Sequence, residues 1–471
     1  MKRFHCIGLA VAVTLLPGMT GAGRAVQSPS LATHGAAGCI SGSCHLLDTG
    51  AERILLDCGS FMDKEFLARN KSFPFSPATI DAVVVSHAHL DHCGRLPLLF
   101  ANGYHGPVIC AAPGRELIGI MLEVQHGILA GDRDSPLGSL RGYEPAARNM
   151  IELEYGVEYP VGSAGVTLLP AEHILGSAMI QVEYGPRTAR RRLLFTGDFG
   201  NTGSTILLPK ARVREVDTLV IESTYGNKDH GDHAAGQKQF YSILSDTVRD
   251  AGVTILPSFV LARTQKILGF LYQGMVSGQV PRDLNVYVAS PTASTITEIY
   301  ARHESHLAPA FRLGTIGDAS PFAFNTLHFY QSFTTIKRPA VIIAPTADLA
   351  AGIARSFVAR HIEDEDTRIC FVSSYQTPGS LGEALVNGAR EVEIDGRRYQ
   401  VRARVYELGI FSGHGDRGQI VSWLEGFARI GQIIIVHGFP ESSRGLAEAI
   451  AARFKWPVTI AKLDEVYSLD R

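Results

Sequence analysis

The chain has 471 residues, 45% of them hydrophobic, with a formal net charge of −2. Its mean hydropathy is +0.08 and its pI about 6.8. Such a chain can bury a large core and divide into two domains, which excludes general disorder and a global basic footprint for nucleic acid.

Residues 1–30 stand apart. Lys2 and Arg3, an apolar stretch and then small residues before Val26 form the pattern of a secretory signal peptide, too short for a good membrane span. The competing reading is an upstream start codon before a domain that begins near Pro29. If residues 1–25 act as a signal, the mature protein is periplasmic or secreted; otherwise it is cytoplasmic. No later stretch is apolar for long enough to cross a bilayer, so no transmembrane anchor is expected in the mature chain.

Beyond that point, short apolar runs bounded by turn residues alternate with helical patterns. Strands are expected at "RILLDCG" (from Arg53), "IDAVVVSH" (from Ile80), "GPVICAA" (from Gly106), "VTLLPAEH" (from Val166) and "MIQVEYG" (from Met179). Others follow at "RRLLFTGD" (from Arg191), "DTLVIES" (from Asp217), "LNVYVASP" (from Leu284), "PAVIIAP" (from Pro339) and "GQIIIVHG" (from Gly431). Helical patterns include "LARTQKILGFLYQGM" and "SSRGLAEAIAARF". The alternation reads as α/β, with sheets covered by helices. Arg187, Arg190, Arg191 and Arg192 form the densest basic run and read as a solvated hairpin turn rather than an RNA patch. The seven cysteines lack zinc-ribbon spacing, and buried free thiols are expected.

The stretch "VVVSHAHLDHCGRL", Val83 to Leu96, carries the chemistry. On a strand running to Ser86, His87 and His89 are two apart and would share one face as the chain leaves the sheet. Asp91 and His92, in the turn beyond, can face a second point. The arrangement suits two adjacent metal ions better than one. Nitrogen and carboxylate ligands without a thiolate trio favour zinc, with manganese or iron as alternatives.

H-x-H-x-D-H after a strand resembles the metallo-β-lactamase superfamily. Asp57 in "ILLDCG" is similar to its first motif, His173 in "LPAEHILGSA" to its third and Asp198 in "LLFTGDFGN" to its fourth. Glu222 in "LVIESTYGNKDH", His414 in "YELGIFSGHGDRGQI" and His437 in "IIIVHGFPES" resemble successive motifs of the β-CASP nucleases. Arg263, Ser290, Tyr375 and Gln376 lie in segments that look like β-CASP insert elements, and "HGAAGCISGSCHLL" is similar to the family's opening strand. The likeness runs from about Ser30 to the end. It is closest to bacterial members of the class containing the cleavage-and-polyadenylation endonuclease and ribonuclease J.

The resemblance implies an αββα metallo-β-lactamase sandwich built from segments 31–226 and 413–471, with a β-CASP α/β domain inserted at 227–412. It implies one zinc held by His87, His89, His173 and bridging Asp198, and a second held by Asp91, His92, Asp198 and His437. Asp57 would position the site from behind. A hydroxide between the metals would attack phosphorus, His414 would act as general acid, and Glu222 would orient it. Asp91 counts with His414 and Glu222 among the catalytic groups. Arg263 would contact substrate phosphate or pair with a surface acid. Ser290, Tyr375 and Gln376 read as structural, and His34, His45, His105, His126, His230 and His233 as ordinary histidines.

The expected activity is hydrolysis of phosphodiester bonds in single-stranded RNA, exo- or endonucleolytic, by a self-contained enzyme that could form a homodimer. His437 favours RNA, because DNA-directed relatives tend to carry an aliphatic residue there. Alternatives are a hydrolase of DNA or of a small ester, thioester, lactone or lactam, and a non-catalytic scaffold in an RNA-processing complex. Two departures from the family pattern bear on this. Pro345, Thr346 and Ala347 replace a Ser-Gly-Met loop, and Glu172 stands where glycine is usual, adding a carboxylate near the metals.

Overall fold

The computed structural model describes residues 28–130, 135–138, 142–202, 206–312, 320–330, 335–372 and 377–470. The signal-like segment 1–25 and the pair Tyr375 and Gln376 lie outside the described residues.

Two seven-stranded sheets pack face to face. The first runs in the order Val466–Ser468, Ser30–Thr33, His45–Asp48, Arg53–Leu56, Ala82–Val84, Val108–Ala111, Met150–Leu153. The second runs Val458–Ile460, Arg429–Val436, Glu215–Glu222, Arg191–Phe195, Ala178–Tyr184, Ala164–Pro170, Glu158–Val161. Leu47, Leu56, Val84 and Ile109 of the first meet Val166, Ile180, Leu193 and Val220 of the second in one shared core. The opposite faces pack on helices: Leu55, Val83 and Val108 against Leu117 and Ile118 of Gly114–Leu129, and Leu219, Ile221 and Ile433 against Ile420, Leu446 and Ile450. Strands buried on both faces read as continuous apolar runs rather than alternating ones. The "VVV" run shows why: Val83 enters one core and Val84 the other, each burial contributing roughly 1.5–3 kcal/mol.

A six-stranded parallel sheet forms a further layer, ordered Leu327–Phe329, Asn285–Val288, Ala340–Ala344, Val253–Pro257, Thr367–Phe371, Arg404–Glu407. Helices His233–Arg249, Arg263–Val276 and Pro291–Arg302 cover one face and Ile353–His361 the other. This is the α/β organisation expected from the sequence, including the sandwich with an inserted α/β unit.

Register does the rest. Strand Glu215–Glu222 runs parallel to Arg429–Val436 with Glu222 opposite Val436, which sets His437 beside the end of a strand two hundred positions earlier. Leu56 lies opposite Val84, which sets Asp57 beside Val85 and Ser86. The carboxyl ends of strands from both sheets therefore converge on one point, where ligands of open α/β sheets bind.

Among the described residues, no helix is long and apolar enough to cross a membrane. All six cysteines described, Cys39, Cys44, Cys58, Cys93, Cys110 and Cys370, are free and buried.

Candidate metal centre

The strand before the histidine cluster stops at Val84, two residues earlier than expected, so strand alternation does not pair His87 with His89. A loop does. His89 occupies the N-cap position of the short helix Leu90–Cys93 without a side-chain capping bond and approaches through Nδ1, whereas His87 approaches through Nε2. Asp91 and His92 lie in that helix and face a second point.

Two clusters of donor atoms result. In the first, His89 Nδ1 lies 3.0 Å from His87 Nε2 and 3.2 Å from His173 Nε2. Asp198 Oδ2 lies 3.4 Å from His87 Nε2 and 3.3 Å from His173 Nε2. In the second, His92 Nε2 lies 3.2 Å from His437 Nε2 and 3.1 Å from Asp198 Oδ1. Asp91 Oδ2 stands 3.6 Å from His92 Nε2 and 3.5 Å from His437 Nε2. A tetrahedral ion with bonds of about 2.0–2.1 Å separates its ligand atoms by roughly 3.3–3.4 Å. Both clusters have these dimensions, and Asp198 offers one oxygen to each. Its Oδ1 is buried and accepts no hydrogen bond among the described residues, although His92 and His437 are close. The donor set fits two divalent cations.

Supporting contacts hold each ring. Asp57 Oδ2 lies 2.7 Å from His92 Nδ1. The Asp57 carboxylate also accepts from Ser43 Oγ, Ser86 N and Ser86 Oγ at 2.9, 2.7 and 3.0 Å. His173 Nδ1 lies 3.1 Å from the Gly413 carbonyl and can donate to it, and His437 Nδ1 lies 3.1 Å from Thr224 Oγ1. Such outer partners set ring orientation and leave the other nitrogen free for an ion. Asp57 and His437 are also held at φ of 61° and 49°, left-handed values that cost non-glycine residues of order 1 kcal/mol.

Electrostatics divide the rings. Burial pushes His87 and His173 below the ordinary histidine value and His89 down to about 3, so these rings are neutral and ready to ligate. Burial also lowers His92 and His437, but the carboxylates around them outweigh it and raise both. Asp198, Asp57 and Asp91 surround His92; Asp198 and Asp91 face His437. Asp91 and Asp198 are correspondingly held below the usual carboxylate range, their burial outweighed by these imidazoles.

His414 stands beside the clusters. Its Nδ1 is 3.0 Å from Glu222 Oε1 and 3.8 Å from Asp198 Oδ2. Glu222, fully buried, also accepts from Phe199 N at 2.7 Å and Thr224 N at 3.0 Å. Burial lowers His414, but Glu222 and Asp198 outweigh it and raise it to about 10. Its side chain is 22% exposed, and Nδ1 is the ring nitrogen that meets both carboxylates.

Other expected residues fall elsewhere. Glu172 does not join the donor clusters: its carboxylate turns to Lys210 Nζ at 2.8 Å, and its φ of 62° accounts for a glycine preference there. Arg263 is half-buried, donates to the Val372 carbonyl and stacks near Phe259. Ser290 caps the helix Pro291–Arg302 through Ala293 N. Thr346 of the altered loop bonds the Ala351 carbonyl. Two further residues belong to the site's surroundings: His230, expected as an ordinary histidine, and Lys266, which no motif marked. His230 Nε2 lies 2.9 Å from the His414 carbonyl and can donate to it, and Lys266 Nζ donates to the Ser412 carbonyl at 2.9 Å. The readable signal for Lys266 was a lysine on the apolar face of "QKILGFLYQ".

A sandwich of this topology with paired His/Asp clusters at its strand ends defines a metal-dependent hydrolase. The chain belongs to the β-CASP branch of the metallo-β-lactamase superfamily. Residues 37–233 match the metallo-beta-lactamase superfamily, 264–385 the Beta-Casp domain, and 398–461 the Zn-dependent metallo-hydrolase RNA specificity domain. It is 31% identical over 437 residues to Ribonuclease TTHA0252 of Thermus thermophilus, covering 92% of this chain and 98% of that one. It is 30% identical over 438 residues to Transcription termination factor FttA of Methanococcus maripaludis, covering 88% and 67%. A crystal structure of a protein of unknown function from Enterococcus faecalis V583 shares the fold, with a TM-score of 0.58 at 11% identity over 94% of this chain and 100% of that one.

Proposed function

We propose that this protein is a dinuclear zinc ribonuclease that hydrolyses phosphodiester bonds of single-stranded RNA. The observation that carries the reading is Asp198, whose two oxygens face two separate donor clusters while Glu222 and His414 stand beside them. His87, His89, His173 and Asp198 would hold one ion, and Asp91, His92, His437 and Asp198 the other. When bound, the ions would supply Lewis acidity and a water acidic enough to ionise near neutral pH.

The chain's own groups do the rest. Glu222 fixes the His414 ring through Nδ1 and favours its charged form, so that Nε2 carries a proton. As the new oxygen–phosphorus bond forms and the bond to the leaving oxygen breaks, His414 gives that proton to the leaving oxygen. Asp57 keeps the His92 ring aimed. Arg263, half-buried and donating to the Val372 carbonyl, would meet a substrate phosphate. RNA as substrate is supported by the match to an RNA specificity domain and by the relative named a ribonuclease.

The test is cleavage of end-labelled single-stranded RNA and DNA by zinc-loaded protein, beside Asp91→Ala and His414→Ala. RNA cleavage is expected, abolished in Asp91→Ala and slowed roughly 10²–10⁴-fold in His414→Ala. Zinc-loaded protein that cleaves neither polymer would overturn the reading and direct attention to small esters or lactams.

A further inference from the structure

The amine of Lys266 is buried and has an unusual partner. The residue lies in the first turn of helix Arg263–Val276 and is 5% exposed. Its Nζ donates to one acceptor among the described residues, the neutral Ser412 carbonyl at 2.9 Å. Burial and the neighbouring Arg263 guanidinium push the amine down to about 7, Glu172 offsetting this in part. A cation in the first turn also opposes the helix dipole. Every one of these placements is unfavourable for a lysine, and an apolar side chain would fill the same space without them. What the amine adds is a grip on Ser412.

That grip bears directly on His414. Ser412, Gly413 and His414 present successive carbonyls, each of them held. Ser412 O takes Lys266 and, at 3.4 Å, Asn201 Nδ2. Gly413 O takes Asn201 N at 3.0 Å and faces His173 Nδ1 at 3.1 Å. His414 O takes Ser412 Oγ at 3.3 Å and faces His230 Nε2 at 2.9 Å. Asn201 and His173 belong to the part of the chain that matches the metallo-β-lactamase model. Lys266 belongs to the part that matches the β-CASP model, and Ser412–His414 to the part that matches the RNA specificity domain.

We propose that Lys266 is a positioning residue through which the β-CASP insert holds the Ser412–His414 segment, setting the ring of His414 for proton delivery to the leaving oxygen. This rests on the reading of His414 as general acid. It makes the insert part of the catalytic geometry. A misplacement of about 1 Å can cost on the order of 10²-fold in rate.

The experiment compares two substrates in zinc-loaded full-length protein. Single-stranded RNA has a leaving oxygen that needs a proton; bis(p-nitrophenyl) phosphate has one that leaves without it. Lys266→Met is expected to lower kcat on RNA roughly 10- to 100-fold, with KM and zinc content little changed and the activated diester hydrolysed within about threefold of the parent. Lys266→Arg, which keeps a donor, is expected to recover most of the RNA rate. Lys266→Met placed on His414→Ala is expected to add nothing on RNA, because the group it positions is gone. Equal losses on both substrates, or an unchanged RNA rate, would overturn the proposal. Should Lys266→Met fail to fold, Lys266→Gln supplies the same ratio of RNA to activated-diester rate, with a lowered ratio expected and an unchanged one contrary. His414→Ala alone separates the two failures: if it slows both substrates equally, the general-acid reading itself falls, whatever Lys266 does.

Discussion

The two donor clusters share Asp198 and differ in almost everything else. The first is three histidines around one carboxylate oxygen, with His89 Nδ1 3.0 and 3.2 Å from the other two nitrogens and the rings driven neutral by burial. The second is two histidines between two carboxylates, with contacts from 3.1 to 3.6 Å. Its rings are held toward the charged form, and Asp91 is 24% exposed. An ion at the second cluster would therefore compete with protons more than one at the first. On the two-ion reading, the first cluster would hold its ion more firmly than the second.

Asp198→Asn strikes what the clusters have in common and has the largest expected effect. Both ions weaken together and RNA cleavage falls by more than the 10–100-fold typical of lost supporting partners, a result checked by metal content alongside rate. Asp57→Asn separates them. It should weaken the ion at His92 by roughly 10–100-fold and leave the ion at His87 and His89 in place, as read by chelator competition. Acid separates them again. His92 and His437 have raised pKa values in the metal-free protein, so their ion competes with protons at higher pH than the ion of the first cluster, whose histidines are lowered. Metal content measured against falling pH should therefore drop in two steps, the second cluster emptying first. Ser43→Ala should have the smallest effect. It removes one of the donors to Asp57, costs about 1 kcal/mol of stability and shifts the chelator curve of the second ion slightly.

The same division governs what could be read in advance. His87, His89, Asp91 and His92 fall within six positions, so a local pattern displays them. The geometry that joins His87 to His89 was misread, because the strand ends at Val84 and a helix cap turns His89. His437 and Glu222 meet through strand register across the molecule, which no local pattern encodes; resemblance to the β-CASP motifs supplied them. The core strands were visible as apolar runs. The edge strand Val466–Ser468 and its neighbour Ser30–Thr33 were harder to see from composition, since they bury few large apolar groups and Val466 is 65% exposed. Lys266 was visible only as a lysine on an apolar helix face, and neither it nor His230 reveals in the sequence the distant backbone carbonyl it reaches.

The central claim is that one carboxylate serves two ions, and metal counting tests it most directly. Zinc-saturated protein, freed of excess metal and analysed by inductively coupled plasma mass spectrometry, should carry about two ions per chain, and Asp198→Asn fewer than one. A single ion in the parent chain, or two in Asp198→Asn with RNA cleavage undiminished, would contradict the account.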